Sequence, residues 1–217
     1  REHDRETRWL INNIVNSKKL SYDNKLLNIM LFRLINKSET IELFGVLDFN
    51  KIDYNFIKEE LDNFKLKNSN YVYFSNAFFT SGPKTMANKL FLNETEMVVK
   101  MIKLVEYYLA LNIVKKIKNT KSQLEVFNVL KSMPGIGDFL AYQIFVDFSY
   151  LAEFPFSENE FVIAGPGCKK GLQCLFKDFD GLSYEEALFW LRDNQTKLLG
   201  KFGYNPKKLF SDLPKED

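Results

Sequence analysis

Apolar residues recur along this chain at intervals of three and four, the spacing that lines one face of an α-helix. Trp9, Leu10 and Ile14 predict a helix over residues 4–16, and Leu26, Leu27, Met30, Leu31 and Leu34 a second over 21–36. Ile57, Leu61 and Phe64 mark a third, with Asp53 placed to cap its start. Val98, Met101, Ile102, Val105, Leu109 and Ile113 predict a long amphipathic helix that opens on the capping-box spacing of Asn93 and Glu96. The same start signal recurs at Ser122 and Glu125, before Val126, Val129 and Leu130. It recurs again at Ser183 and Glu186, before Ala187, Leu188, Leu191 and Leu198. Only residues 71–80 break the helical rhythm: they are aromatic, β-prone and followed by Ser81-Gly82-Pro83, and predict an extended stretch or loop beside a cleft. The chain is therefore expected to be mainly α.

Composition narrows the chemistry more than it suggests any. The 217 residues suffice for one full core or for two small helical lobes sharing a cleft, the arrangement expected here. No apolar run approaches the roughly 20 residues of a membrane-spanning helix, so no membrane role is expected and an intracellular setting is. Arg1 stands where a start methionine would, so a segment upstream and its targeting signals remain open. The net charge of +2 comes from 30 basic and 28 acidic residues, which confines any nucleic-acid surface to a local patch. Cys168 and Cys174 are too few and wrongly spaced for a zinc ribbon or an iron–sulfur loop, and His3 is the single histidine. No metal and no cofactor is expected; catalysis, if present, rests on carboxylates, amides, hydroxyls, lysines and backbone N–H groups.

One stretch carries the argument for function. Residues 130–144 read as a helix, a Pro134-Gly135-Ile136-Gly137 hairpin, and a second helix. Glycines allow the tight turn and a close backbone approach, while Ile136 points inward. The N–H groups opening the second helix face outward with a partial positive field that suits a DNA phosphate. Gly135, Ile136 and Gly137 are thus candidates for DNA phosphate contact, which fixes position and reads little sequence; Ala141 is small enough for close packing of the two helices.

Here the sequence resembles the helix-hairpin-helix DNA glycosylase superfamily, which implies a fold of two helical lobes around a cleft. Residues 1–217 are then a single glycosylase-like domain, with lobes formed by 1–92 plus the C-terminal helices and by 93–175. The family's catalytic aspartate falls in Phe156-Ser157-Glu158-Asn159-Glu160-Phe161-Val162, where Asn159 stands at its place between Glu158 and Glu160. Phe139 replaces the lysine of the lyase-type members, which disfavours strand cleavage through a Schiff base.

A second resemblance is to DNA base hypermodification proteins, including the helical domain associated with hydroxymethyluracil DNA kinases and transferases that act on phosphorylated hydroxymethyluracil. The carrying blocks run from Asn28 through Arg33 to Asn36 and Lys37, from Phe74 through Asn76 to Phe79 with Gly82-Pro83-Lys84, from Gly135 to Tyr142 and Gln143, and from Phe161 to Gly165-Pro166-Gly167. The resemblance implies a base swung out of DNA, held by its edge and its substituent. Asn76 and Gln143 could bond a pyrimidine edge and Phe78, Phe79 and Tyr142 stack on it. Gly165, Gly167 and Lys169, and again Gly82-Pro83-Lys84, could hold a phosphate, or could be glycine-rich turns with solvated lysines. Arg33 is either an ordinary exposed arginine or, as the resemblance favours, a charge aimed into the cleft with Asn36. Glu158 and Glu160 are candidates for moving protons, unless Glu160 closes a capping box with Ser157. The leading expectation is transfer of an amino acid or polyamine to phosphorylated 5-hydroxymethyluracil in DNA. Its rivals are a glycosylase and a non-catalytic DNA-binding module that serves a kinase or other enzyme in a larger assembly.

Overall fold

The computed structural model describes residues 4–75 and 81–204. All regular structure among them is helical, with no strand: α1 (Arg5–Leu10), α2 (Tyr22–Ile35), α3 (Ser38–Glu42), α4 (Tyr54–Lys67), α5 (Ser81–Leu90), α6 (Met97–Ala110), α7 (Ile113–Lys118), α8 (Gln123–Lys131), α9 (Asp138–Phe148), α10 (Pro166–Leu175) and α11 (Tyr184–Lys201). A π-helical turn, Ile11–Val15, continues α1, and a 3₁₀ turn, Glu158–Glu160, precedes α10. The chain divides into two compact units, Arg1–Phe161 and Val162–Asp217.

Unit 1 is built around α2. Every residue from Asn24 to Ile35 is buried, the pattern of a helix enclosed on all sides rather than an amphipathic surface helix. It packs against α6 and α9, and α5 packs against α6. These pairings run across the expected lobe boundary at 92/93, and residues 1–92 and 93–161 fall in one compact unit. Apolar positions on both sides of the boundary, from Leu26 and Met30 to Met101, Val105 and Ile144, are almost wholly excluded from solvent. Splitting them would expose that shared surface, at about 25 cal/mol per Å².

Cap chemistry sets most helix starts. Ser21, Asp53, Ser122 and Ser183 each accept a hydrogen bond from a first-turn N–H of the helix they open. At Ser183 the reciprocal half is present too, Glu186 accepting the Ser183 N–H at 2.7 Å. At Ser122 the acid reaches one residue further, Glu125 taking the N–H of Lys121 at 2.7 Å. The start expected at Asn93 lies elsewhere: Glu96 occupies the cap position and α6 begins at Met97. Its neighbour Glu94 is pulled inside, where its carboxylate takes the N–H of Thr95 at 3.0 Å and the ammonium groups of Lys58 at 3.0 Å and Lys103 at 2.9 Å. The long helix expected through Ile113 is also two: α6 ends at Ala110, and Asn112 turns the chain in the left-handed region (φ 60°) before α7 starts at Ile113. Gly82-Pro83-Lys84 form no turn; they lie in the first turn of α5, where proline's fixed φ and missing N–H are tolerated.

Unit 2 holds α10 and α11, which pack on each other. Its described contacts are largely aromatic: Phe176 meets Phe179 and Trp190 at ring distances of 5.6 and 5.7 Å, and Phe179 meets Tyr184 at 5.2 Å.

Candidate nucleic-acid interface

The helix-hairpin-helix expected from the sequence is formed by α8, the turn 132–137 and α9. Gly135 lies in the left-handed region at φ +85°, a conformation glycine adopts without steric cost. Its close backbone neighbour is the chain itself: a Cβ at Gly135 would come within 2.9 Å of the Gly82 carbonyl oxygen, and one at Gly82 within 2.5 Å of the Gly135 oxygen. The N-terminal turn of α5 thus rests directly on the hairpin. From α6, the buried Tyr108 hydroxyl donates to the Pro134 carbonyl at 2.7 Å, and burial pushes that phenol up, so it stays a donor. Ile136 is buried, its N–H closing the turn onto Met133 at 3.0 Å. Lys131 reaches across to Asp138 at 2.7 Å.

Gly137 differs from Gly135. It is the N-cap of α9, extended at φ −93° and ψ 178°, with no side-chain cap bond. It is exposed, and a Cβ there would meet nothing within 4 Å. Of the three residues expected to meet phosphate, Gly137 presents backbone outward, Ile136 is an internal pin, and Gly135 is spent on the contact with α5.

Arg33 is not aimed into a cleft, while Asn36 is buried at the edge of an open depression of about 340 Å³ with Lys37, Val72 and Phe74. Arg33 is 2% exposed and ion-paired with the fully buried Asp147 of α9, Nη2 lying 2.8 Å from Oδ1 and Nε donating to Oδ2. Its Nη1 donates to Asn36 Oδ1 at 2.7 Å, and Asn36 ends α2 in the left-handed conformation. Arg33 thus ties α2 to the second hairpin helix, and Asn36 holds its Nη1. The sequence signal for this pair was present, one acid and one base each set among apolar neighbours on its own helix, but nothing in a single sequence says that they meet.

The other candidates are spread over both units. Lys84 is half-buried with Nζ 4.1 Å from the centre of the Phe74 ring, and burial lowers its pKa. Tyr142 sits between Phe145 and Phe161, its hydroxyl donating to the Phe161 carbonyl at 3.4 Å. Gln143 is partly exposed. Asn76, Phe78 and Phe79 lie outside the described residues. Glu158, Asn159 and Glu160 form the 3₁₀ turn, with Ser157 accepting the Asn159 N–H at 3.2 Å. Glu160 closes no capping box; it accepts from Gln123 of α8 at 2.9 Å. Beside this turn, Tyr150, Phe154, Phe156, Glu158 and Asn159 help line an open depression of about 490 Å³. In unit 2, Gly165 caps α10, Gly167 lies in its first turn, and Lys169 stands 5.3 Å from the Tyr184 ring. Among the described residues no group of His, Cys, Asp or Glu is placed to hold a metal ion, and no helix is long and apolar enough to cross a membrane.

The described residues thus form an all-helical chain with a preformed hairpin between α8 and α9. Comparison with known proteins is more specific: residues 1–216 match the model of the family described as 5-hmdU DNA kinase, helical domain, and the chain belongs to that family. A curated relative, the 5-hmdU DNA kinase of Bacillus phage SP10, is 24% identical over 221 residues. The match covers 95% of this chain and 34% of the relative, so the chain spans about a third of that protein's length. No solved structure matches, and the glycosylase-like fold rests on the sequence resemblance. The family points to the kinase side of base hypermodification; amino-acid or polyamine transfer and base excision find no support in it.

Proposed function

We propose that this chain is the DNA-holding part of a 5-hydroxymethyluracil DNA kinase, seating the DNA backbone on its hairpin while phosphoryl transfer to the base is carried out by a kinase region beyond the helical domain. The observation that carries the reading is the hairpin itself. It is fixed from three sides by Gly82, Tyr108 and Ile136, yet leaves Gly137 and the opening N–H groups of α9 facing outward. Donors fixed in advance bind a phosphate without the entropy cost of ordering a loop. The family's name supplies the base and the nucleic acid. Gln143 and Tyr142, on the same helix as Gly137, are the candidates nearest in sequence for meeting the base, and Lys84, set on α5 against the hairpin, for its substituent.

The test is binding of the chain to duplexes carrying 5-hydroxymethyluracil or thymine, with the Gly137→Ala variant beside it. Alanine at 137 fits the backbone and the protein, so the fold is kept, but its methyl group stands between the N–H groups and a phosphate. Binding is expected to fall about tenfold or more, the loss of one to two charge-assisted hydrogen bonds. Unchanged binding would remove the hairpin from the interface. Nucleoside mass spectrometry of the same incubations, supplied with amino acids and polyamines, covers the rival chemistries. Free base would mean a glycosylase and a mass gain a transferase, in either case with Glu158, Asn159 and Glu160 as the groups to substitute.

A further inference from the structure

Beyond the hairpin, unpaired positive charge collects on one segment of unit 1. Between Ile113 and Ser132 there are five lysines, Lys115, Lys116, Lys118, Lys121 and Lys131, and one acid, Glu125, in a chain whose net charge is only +2. Lys118 is paired with Asp23 and Lys131 with Asp138. Lys115, Lys116 and Lys121 are exposed and have no ion-pair partner among the described residues. Glu125, whose carboxylate accepts the Lys121 N–H at the start of α8, offsets one of these three charges and leaves the strip net positive.

Between α7 and α8 this segment forms an open groove of about 580 Å³, lined by Lys116, Asn119, Thr120, Asn128 and Ser132 together with Val129 and the acid Glu125. The Thr120 and Ser132 hydroxyls donate to their own helices, to Ile117 and Val129 at 2.7 Å each. The side chains of Lys116, Asn119 and Asn128 make no hydrogen bond among the described residues. The groove thus offers an ammonium and two amides as uncommitted donors, and no aromatic ring on which a base could stack. Ser132 closes one end of it and also opens the hairpin turn, three residues before Gly135.

We infer that the groove between α7 and α8 carries the sugar–phosphate backbone of DNA away from the hairpin, so that Lys116, Asn119 and Asn128 form a second phosphate contact continuous with the first. Donors without a stacking platform suit phosphate oxygens and not base faces, so this contact orients the nucleic acid and reads no sequence. The inference rests on the DNA-holding function proposed above.

The experiment measures affinity of the full chain for a DNA duplex over a range of salt concentrations. It compares the unaltered protein with Lys116→Ala, Lys116→Ala/Asn128→Ala, and Lys65→Ala as a control at the far end of α4. All three positions are exposed, and circular dichroism should be unchanged. Lys116→Ala is expected to weaken binding by about 3- to 10-fold at low salt, equally for different sequences, and to reduce the slope of log affinity against log salt by about 1. The double variant should weaken it further and Lys65→Ala not at all. If Gly137→Ala loses binding while Lys116→Ala keeps the affinity and slope of the unaltered chain, the groove is overturned and the hairpin reading stands. If the unaltered chain binds no DNA, both fall. Lys116-dependent binding of deoxyuridine triphosphate with an unchanged DNA slope would mark a free-nucleotide site and also overturn the inference.

Discussion

A methyl group at residue 135 has nowhere to go. It would sit 2.9 Å from the Gly82 carbonyl oxygen, on a backbone at φ +85° that side chains avoid. Gly135→Ala is therefore expected to lower unfolding free energy by about 1–3 kcal/mol in urea titrations, whereas Gly137→Ala, two residues on in open space, should leave it within about 0.5 kcal/mol. Equal costs at the two positions would mean that the α5 contact does not hold the turn. Arg33 and Asp147 permit a sharper test. Each alone would be a buried, unpaired charge, so Arg33→Met is expected to cost about 3–5 kcal/mol. Arg33→Met/Asp147→Leu should recover much of that loss, because an apolar pair of similar volume carries no desolvation penalty. A single-variant cost below about 1 kcal/mol would show that the pair is not what joins α2 to α9.

Among the elements, α4 and α6 are joined through a carboxylate with a pH signature. Burial alone would raise the Glu94 carboxyl, but hydrogen bonds from Lys103 and Lys58 and the N–H of Glu96 outweigh it and hold the group at about 2, below its ordinary 4.5. A depressed acid stabilises the fold above its unfolded pKa, and that contribution is lost as pH falls from about 4.5 towards 2. Urea midpoints measured between pH 6 and pH 2 should fall more steeply for the unaltered chain than for Glu94→Gln; parallel curves would place the acid sensitivity elsewhere. Glu94 also shows where sequence reading stopped. Asn93 and Glu96 have the spacing of a capping box, yet the helix starts a turn later because a buried acid between them has two lysine partners, one of them far off in the chain. Starts with local chemistry, at Ser21, Asp53, Ser122 and Ser183, were legible, as was the hairpin with its inward Ile136. Contacts between distant segments were not: Gly82 against Gly135, Tyr108 on Pro134, and the Arg33–Asp147 pair, which made an internal tie of an arginine expected to face the cleft.

The molecule as a whole is unevenly built. Unit 1 contains nearly all of the deeply buried apolar residues, while in the described part of unit 2 only Ala164, Leu172 and Ala187 are fully enclosed. A two-helix segment with so little interior falls below what a small domain needs to fold alone. Residues 162–204 expressed by themselves should show weak helicity and no cooperative melting by circular dichroism, and residues 1–161 a cooperative transition; sharp melting of the shorter fragment would refute this division of stability. The small net charge has a related effect on the proposed DNA-holding role, which would have to draw on one local strip and not on the whole surface. The contact between Gly82 and Gly135 reaches beyond any single molecule. Two backbones that touch with no side chain between them cannot drift independently, because a replacement at either position collides with the other whatever the domain binds. Across the lineage that carries this domain, the two positions should be inherited as a pair, and the rare descendant that has lost one glycine should have rebuilt the start of α5 or the hairpin as well.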